Sequence, residues 1–273
     1  MKFKLIFLLF NGIVLLSFIF VFMIPVILLG WEHSRLFWGT NWPLAALFLV
    51  IMGGLNTYFA LNWKLFSFLE AENWRGLISY LEDQIYSQGK YRKQYLHVLI
   101  NSYILVSEPS RILELEQKCR QDRPDLVPAF ALQFGIPHLL QNDPQDLESY
   151  YGTMRQQPRC NDRPWIEWSY AFALLLQQRQ HDARDVLLAL PQQSRNPILR
   201  ALTYYLLDAF PDQDMQVKNS VIEGKKALRE RYSISQWHKE VEKNRNNLQV
   251  VVLANLVKDV SAWIFDQSAA QAT

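Results

Sequence analysis

Two long apolar runs, Leu5 to Leu29 and Pro43 to Leu61, contain no charged residue. Each is long enough to cross a hydrocarbon layer of roughly 30 Å at about 1.5 Å of rise per residue. Between them lies the short polar stretch Trp31 to Asn41, which reads as a loop. The chain is therefore expected to open with a membrane-embedded helical hairpin over residues 1–63. Overall mean hydropathy near zero conceals this, because it averages an apolar first quarter with a remainder of ordinary charge content.

A cleaved signal peptide has an apolar core of about 7 to 15 residues followed by a small-x-small site. The first run is longer and ends in Leu28, Leu29, Gly30 and Trp31, so it is expected to be retained. Orientation follows from Lys and Arg near the span ends. Lys2 and Lys4 precede the first run, Arg35 alone sits in the loop, and Lys64 and Arg75 follow the second. That bias places both termini and the helical domain in the cytoplasm. Trp31, Trp38 and Trp42 fit an outer aromatic belt and Trp63 an inner one. Gly53, Gly54 and Asn56 fit close packing within the hairpin, since small residues admit a neighbouring helix and an amide bonds across it. Neither run holds an ionisable residue of the kind a transport pathway carries.

The remainder reads as helix after helix. Apolar residues recur at helical spacing from Trp74 to Ile85, with Gly89 at the stop. Further segments run from Lys93 to Val106, Ser110 to Arg120, and Asp125 to Leu140 with a kink at Pro137. After a turn at Asn142, Asp143 and Pro144 come Asp146 to Gln157, Pro164 to Gln178 and Asp182 to Leu190. A break at Pro191 precedes Pro197 to Phe210, which Pro211 punctuates. Asp214 to Arg231 and one long final helix, capped by Ser235 and ending near Phe265, complete the chain before a tail from Gln267. Strand-like alternation is missing throughout, so the expected class is all-α.

Paired helices at a nearly fixed period call for a repeat test. Phe134-Gly135 followed by Tyr151, and Tyr170-Ala171 followed by Ala183 and Leu187, resemble the bulky-small pair and later packing positions of tetratricopeptide (TPR) repeats. The two units lie about 36 residues apart against the family's ~34. Val98-Leu99 with Leu115 makes a looser third unit. The resemblance implies a degenerate TPR-like α-solenoid over residues 64–210, with residues 211–273 packing on it around a long C-terminal capping helix. It also implies a ligand groove lined by one face of each unit's first helix. In the Pro164 helix that face carries Trp165, Trp168 and Phe172; neighbouring helices offer Leu132, Ile136 and Leu139, then Leu96, Ile100 and Tyr103. An amphipathic helix docks into such a groove through similarly spaced anchors. The final helix, with Leu248, Val251, Val252, Leu256, Val260 and Trp263, is the internal competitor for the same surface.

Chemistry-bearing patterns are sparse. A formal net charge of +2 supplies no general drive toward nucleic acid. Cys119 and Cys160 lack CxxC spacing and read as free thiols, and the sequence calls for no cofactor or metal. His33, His97, His138, His181 and His238 are scattered, and HExxH, phosphate-loop and GxSxG patterns do not occur. Asp143, Asp146 and Glu148 read as turn and cap residues. A basic stretch, Lys218, Lys225, Lys226, Arg229, Arg231, Lys239, Lys243 and Arg245, is diluted by glutamates; it offers contact with anionic headgroups or a solvated helix face. The expectation is a non-enzymatic scaffold that binds partner proteins at a bacterial-type inner membrane. Its architecture resembles the TPR-containing membrane proteins associated with haem biosynthesis and exopolysaccharide assembly. The rival expectation is a small structural subunit of a membrane transport or enzyme complex.

Overall fold

A computed structural model describes residues 3–141, 143–210, 215–244 and 247–265. Expectations placed on Lys2, Asn142, Pro211, Asp214, Arg245 and the tail from Gln267 lie outside the described residues. Among the described residues every regular element is helical, as the sequence pattern requires. The chain divides into two compact units, Met1–Ser107 and Glu108–Thr273.

The first unit begins with α1 (Phe3–Leu61), a single helical run broken only at Gly30, whose φ of 76° and ψ of 175° leave the helix. A positive φ of this size is available to glycine at no steric cost and to few other residues. The break gives two arms, 3–29 and 31–61, that lie antiparallel. Phe7 packs on Phe59 with ring centroids 4.9 Å apart, Phe18 stacks on Phe48 at 4.3 Å, and Phe22 stacks on Trp38 at 4.5 Å. Asn56 Nδ2 donates to Asn11 Oδ1 across the arms at 2.9 Å. The hairpin thus has no loop of eleven residues: Trp31 to Asn41 is helix, and the reversal is made at Gly30. Polarity there does not mark a helix end. Ser34 supports the new turn by donating its hydroxyl to the Gly30 carbonyl at 2.8 Å.

Phe7–Leu28 and Phe37–Leu61 are long and apolar enough to cross a membrane, and none of either one's apolar core is buried within the chain. Side chains such as Leu16, Phe20 and Val50 are about two-thirds exposed. After α1 come α2 (Trp63–Glu70), α3 (Trp74–Glu82), a π turn (Asp83–Ser87) and α4 (Lys93–Leu105). Asn73 caps α3 by accepting from Gly76 N, and Gly89, with φ of 63°, turns the chain into α4. Leu77, Leu81, Leu96, Leu99 and Ile100 form the apolar seam between α3 and α4.

The second unit starts with α5 (Ser110–Asp122). The single helix expected over Asp125 to Leu140 is instead two 3-10 turns (Pro124–Leu126 and Pro128–Phe130), α6 (Ala131–Phe134) and α7 (Ile136–Leu140). Pro128 and Pro137 each lack an N–H and disfavour helical geometry in the residue before them. Then follow α8 (Pro144–Met154), α9 (Arg163–Leu176), α10 (Gln180–Gln193), α11 (Pro197–Asp208) and α12 (Met215–Arg231), with each of α8 to α12 packed against the next. Prolines at the first turns of α8, α9 and α11, and the side chains of Asp143 and Asn196 accepting from first-turn amides, explain why these helices start where they do. Pro191 lies inside α10 and does not break it.

Two close approaches set helix spacing. A Cβ on Gly135 would fall 2.2 Å from the Tyr151 hydroxyl, and one on Gly224 would fall 2.3 Å from the Tyr204 ring. Among the described residues, three helices stand where one long capping helix was expected: α13 (Ile234–Lys243), α14 (Leu248–Val252) and α15 (Ala254–Phe265). The cap is Ser233, in a reciprocal capping box with Gln236. Helix α15 packs on α11 and α12, where Trp263 Nε1 donates to Asp208 Oδ2 at 2.7 Å. Trp237 on α13 donates to Ser261 Oγ at 2.8 Å.

Candidate functional site

The residues assigned to a partner groove are packed inside the protein. Trp168 is fully buried, Trp165, Leu132 and Ile136 are at most 6% exposed, and only Phe172 keeps intermediate exposure. Trp168 stacks on Phe172 at 5.2 Å and meets Trp165 edge-on at 6.1 Å. The aromatic stripe at i, i+3 and i+7 of α9 is therefore an inner seam. Gln249 of α14, itself buried, donates Nε2 to the Leu132 carbonyl at 3.0 Å, so a C-terminal helix reaches α6. Tyr103 belongs to the first unit, where it is fully buried and donates its hydroxyl to Glu82 Oε1 at 2.5 Å. Burial, then the Glu82 hydrogen bond, holds its phenol far above the ordinary range. The six residues consequently form no single open surface.

The second unit does hold an accessible polar cleft. A cleft of about 330 Å³ between α8 and α9 is lined by Gln145, Glu148, Ser149, Gly152, Arg155 and Tyr170, among others. Arg155 lies 4.4 Å over the Tyr170 ring and pairs with Glu167 at 2.7 Å. Glu148 accepts from Arg179 at 2.7 Å and from Gln177 at 2.8 Å, so it ties α8 to the α9–α10 turn. The basic stretch is partly spent within the unit. Lys225 sits 4.5 Å over the Trp263 ring, Arg229 donates to the Ile264 carbonyl, and Arg231 lies over Tyr232. Lys218, Lys226, Lys239 and Lys243 face solvent.

In the first unit a cleft of about 570 Å³ opens on the hairpin, lined by Phe7, Leu8, Asn11, Gly12, Leu15, Met52, Asn56 and Trp63. At Gly12, Gly53 and Gly54 the position a Cβ would occupy is open, with nothing within 4 Å. Asn56 therefore joins the arms, whereas the two glycines beside it face outward.

One cluster escaped sequence reasoning. His138, Glu116 and Asp146, on α7, α5 and α8, converge with Arg120 and Tyr150. The imidazole Nδ1 is hydrogen-bonded to Asp146 Oδ2, and Nε2 lies 3.9 Å from Glu116 Oε2. Glu116, nearly buried, is gripped by Arg120 through Nε at 3.0 Å and Nη2 at 2.6 Å. The ring stacks on Tyr150 at 4.4 Å. Burial alone pulls the imidazole down, but Glu116 and Asp146 outweigh it and hold His138 above its ordinary value of 6.5. Asp146 is thus more than a first-turn residue, while Asp143 is the helix cap expected of it. Spacings of 22 and eight residues between three separate helices leave no local pattern to read.

Among the described residues no group of three or more His, Cys, Asp or Glu is placed to hold a metal ion. Both cysteines are free thiols. Burial, then Glu116, pushes Cys119 up to about 12, which keeps it protonated and a poor nucleophile.

The family model described as "Uncharacterised Treponema protein" matches residues 111–266, entirely inside the second unit. A Treponema pallidum (strain Nichols) protein described as "Uncharacterized protein" is 27% identical over 281 residues, spanning 97% of this chain and 88% of its own length. No solved structure matches the chain. With more than half of its residues covered by that one family model, the chain belongs to the uncharacterised Treponema protein family.

Proposed function

We propose that this protein is a membrane-tethered helical scaffold. The hairpin crosses a bacterial inner membrane twice, and the helical remainder, on the cytoplasmic side, binds partner proteins in an envelope-associated assembly. One observation carries the reading: both arms of α1 are free of charge in their spans and leave their apolar side chains unburied. In water that surface would far exceed what a monomeric protein ordinarily exposes; in hydrocarbon it is solvated, and the helical backbone satisfies its own polar groups.

The second unit supports the binding half. Successive packed helices and the close seating of Tyr151 against Gly135 support a TPR-like reading. Because the aromatic stripe is inside, the partner-facing surface is assigned to the polar cleft between α8 and α9. Arg155→Ala with Gln156→Ala, both on the lining of that cleft, tests this in the full chain within its membrane. Partners recovered by crosslinking should fall away while helicity is unchanged; undiminished recovery rejects the cleft as the docking surface.

A second reading, a small structural subunit of a membrane transport or enzyme complex, is favoured by the open apolar cleft and outward glycines of the hairpin. Crosslinking separates the two: if every stable partner attaches to residues 1–63, the subunit reading holds and the scaffold reading falls.

A further inference from the structure

Helix α7 is five residues long, shorter than a helix needs to be stable by itself, and it lies in the most broken part of the second unit. Two flanking contacts pin its predecessor: Tyr150 donates to the Ala131 carbonyl at 2.8 Å and Gln249 to the Leu132 carbonyl at 3.0 Å. The polar tie on α7 itself is His138. Its Nδ1 bond to Asp146 leaves the Nε2 position facing inward, buried and without a hydrogen-bond partner. The group ahead of Nε2 is the Glu116 carboxylate at 3.9 Å, in ion-pair range but too long for a hydrogen bond.

The two protonation states differ sharply in that setting. In the neutral ring, with the proton on Nδ1, a buried lone pair faces a carboxylate and nothing donates to it. In the imidazolium both nitrogens carry protons, one directed at Asp146 and the other toward Glu116, and the cation lies on the Tyr150 face. The charged and titratable groups facing the ring come from two helices. Helix α5 presents Glu116, with Arg120 bound to its far side; α8 presents Asp146 and Tyr150; α6, of sequence Ala-Leu-Gln-Phe, presents none.

We propose that His138 is a proton-operated clamp that holds α7 between α5 and α8, closed when the imidazole is charged and loosened when it is neutral. The sign follows from the direction in which the folded site holds the ring. A histidine held above 6.5 by its partners contributes stability that is complete below about pH 6.5 and is lost as pH rises through its folded value. Ile136 and Pro137, both buried on α7, become reachable when the clamp loosens. If the scaffold reading is right, the clamp therefore gates the inner seam to a partner. That last step rests on the proposed function; the clamp does not.

Hydrogen exchange read by mass spectrometry on the full chain in detergent tests the clamp without any partner. Exchange is corrected for its intrinsic pH dependence, with α11 as the internal reference. In the wild type, protection of residues 134–141 should fall several-fold between about pH 6 and about pH 8.5, bracketing the histidine range, while α11 stays constant. His138→Gln should leave that segment at the low level throughout. His97, His181 and His238 are exposed and cannot supply the same local transition. A flat wild-type profile, or an unaltered one in His138→Gln, overturns the proposal. Should His138→Gln also unprotect α11, Asp146→Asn decides: it keeps the ring and its stacking partner, and the midpoint should move to lower pH. An unmoved midpoint overturns the clamp. Loss of partner binding with the exchange transition intact would reject only the gating role.

Discussion

Helix α1 and the second unit carry similar side chains in opposite settings. In the second, leucines and aromatics are turned inward: Trp168, Tyr151, Phe134 and Leu187 are fully buried. In α1 the same residue types face outward, with Leu8 76% and Leu28 75% exposed. Apolar content alone does not distinguish a core from a membrane face. What distinguishes them is the distribution around the helix: amphipathic helices bury one face against a neighbour, while each arm of the hairpin is apolar on nearly every side. The same substitution should therefore have opposite consequences in the two places.

The largest effect is expected from Trp168→Ala, which removes a fully buried indole stacked on Phe172. A loss of about 3–5 kcal/mol is typical of such truncations, and chemical denaturation of the full chain in detergent, followed by near-ultraviolet circular dichroism, checks it. Partner loss with unchanged stability would instead return Trp168 to an open groove. Next comes a charge in the hairpin. Leu16→Arg sits on an exposed position, costs nothing in lost packing, and should disfavour insertion by about 2.5–3.5 kcal/mol at mid-span. The paired control is Leu176→Arg, also exposed but on α9, where a shift within about 0.5 kcal/mol is expected. Equal tolerance at both positions, read as membrane-fraction yield, breaks the comparison.

Gly135→Ala drives a methyl group onto the Tyr151 hydroxyl and should cost about 1–3 kcal/mol by overpacking, measured as a lowered melting midpoint. Gly53→Ala, with open space around its added carbon, should be close to silent in the same assay. A smaller loss is expected from Asn56→Leu. It removes the 2.9 Å bond to Asn11, and amide bonds between membrane helices average only about 0.6 kcal/mol. Crosslinking of the two arms through cysteines introduced at Phe7 and Phe59, which face each other, should therefore survive it.

Much of the fold is legible because its signals are local. Uncharged runs mark the arms of α1, and proline at a first turn or Asn and Asp before it marks α8, α9 and α11. The pattern misleads where tertiary packing overrides it. Trp31 to Asn41 reads as a loop because it is polar, yet one glycine suffices to reverse the chain. The final segment reads as continuous because periodicity persists across it, whereas Leu253, at φ −93° and ψ 22°, steps out of the helix between α14 and α15. Trp165, Trp168 and Phe172 stand at the expected spacing, but spacing defines a stripe and not what covers it; at Leu132, another of the expected groove residues, the carbonyl is met by Gln249 from 117 residues away. His138 is unreadable for the same reason, since its partners arrive from separate helices.

Solvation of α1 by lipid underlies both halves of the proposal. The decisive experiment is an alkaline carbonate wash, without detergent, of membranes from expressing cells. The full chain should stay in the membrane pellet, and Leu16→Arg should release a substantial part of it. Quantitative release of the wild-type chain into the supernatant would show that α1 is not held in lipid.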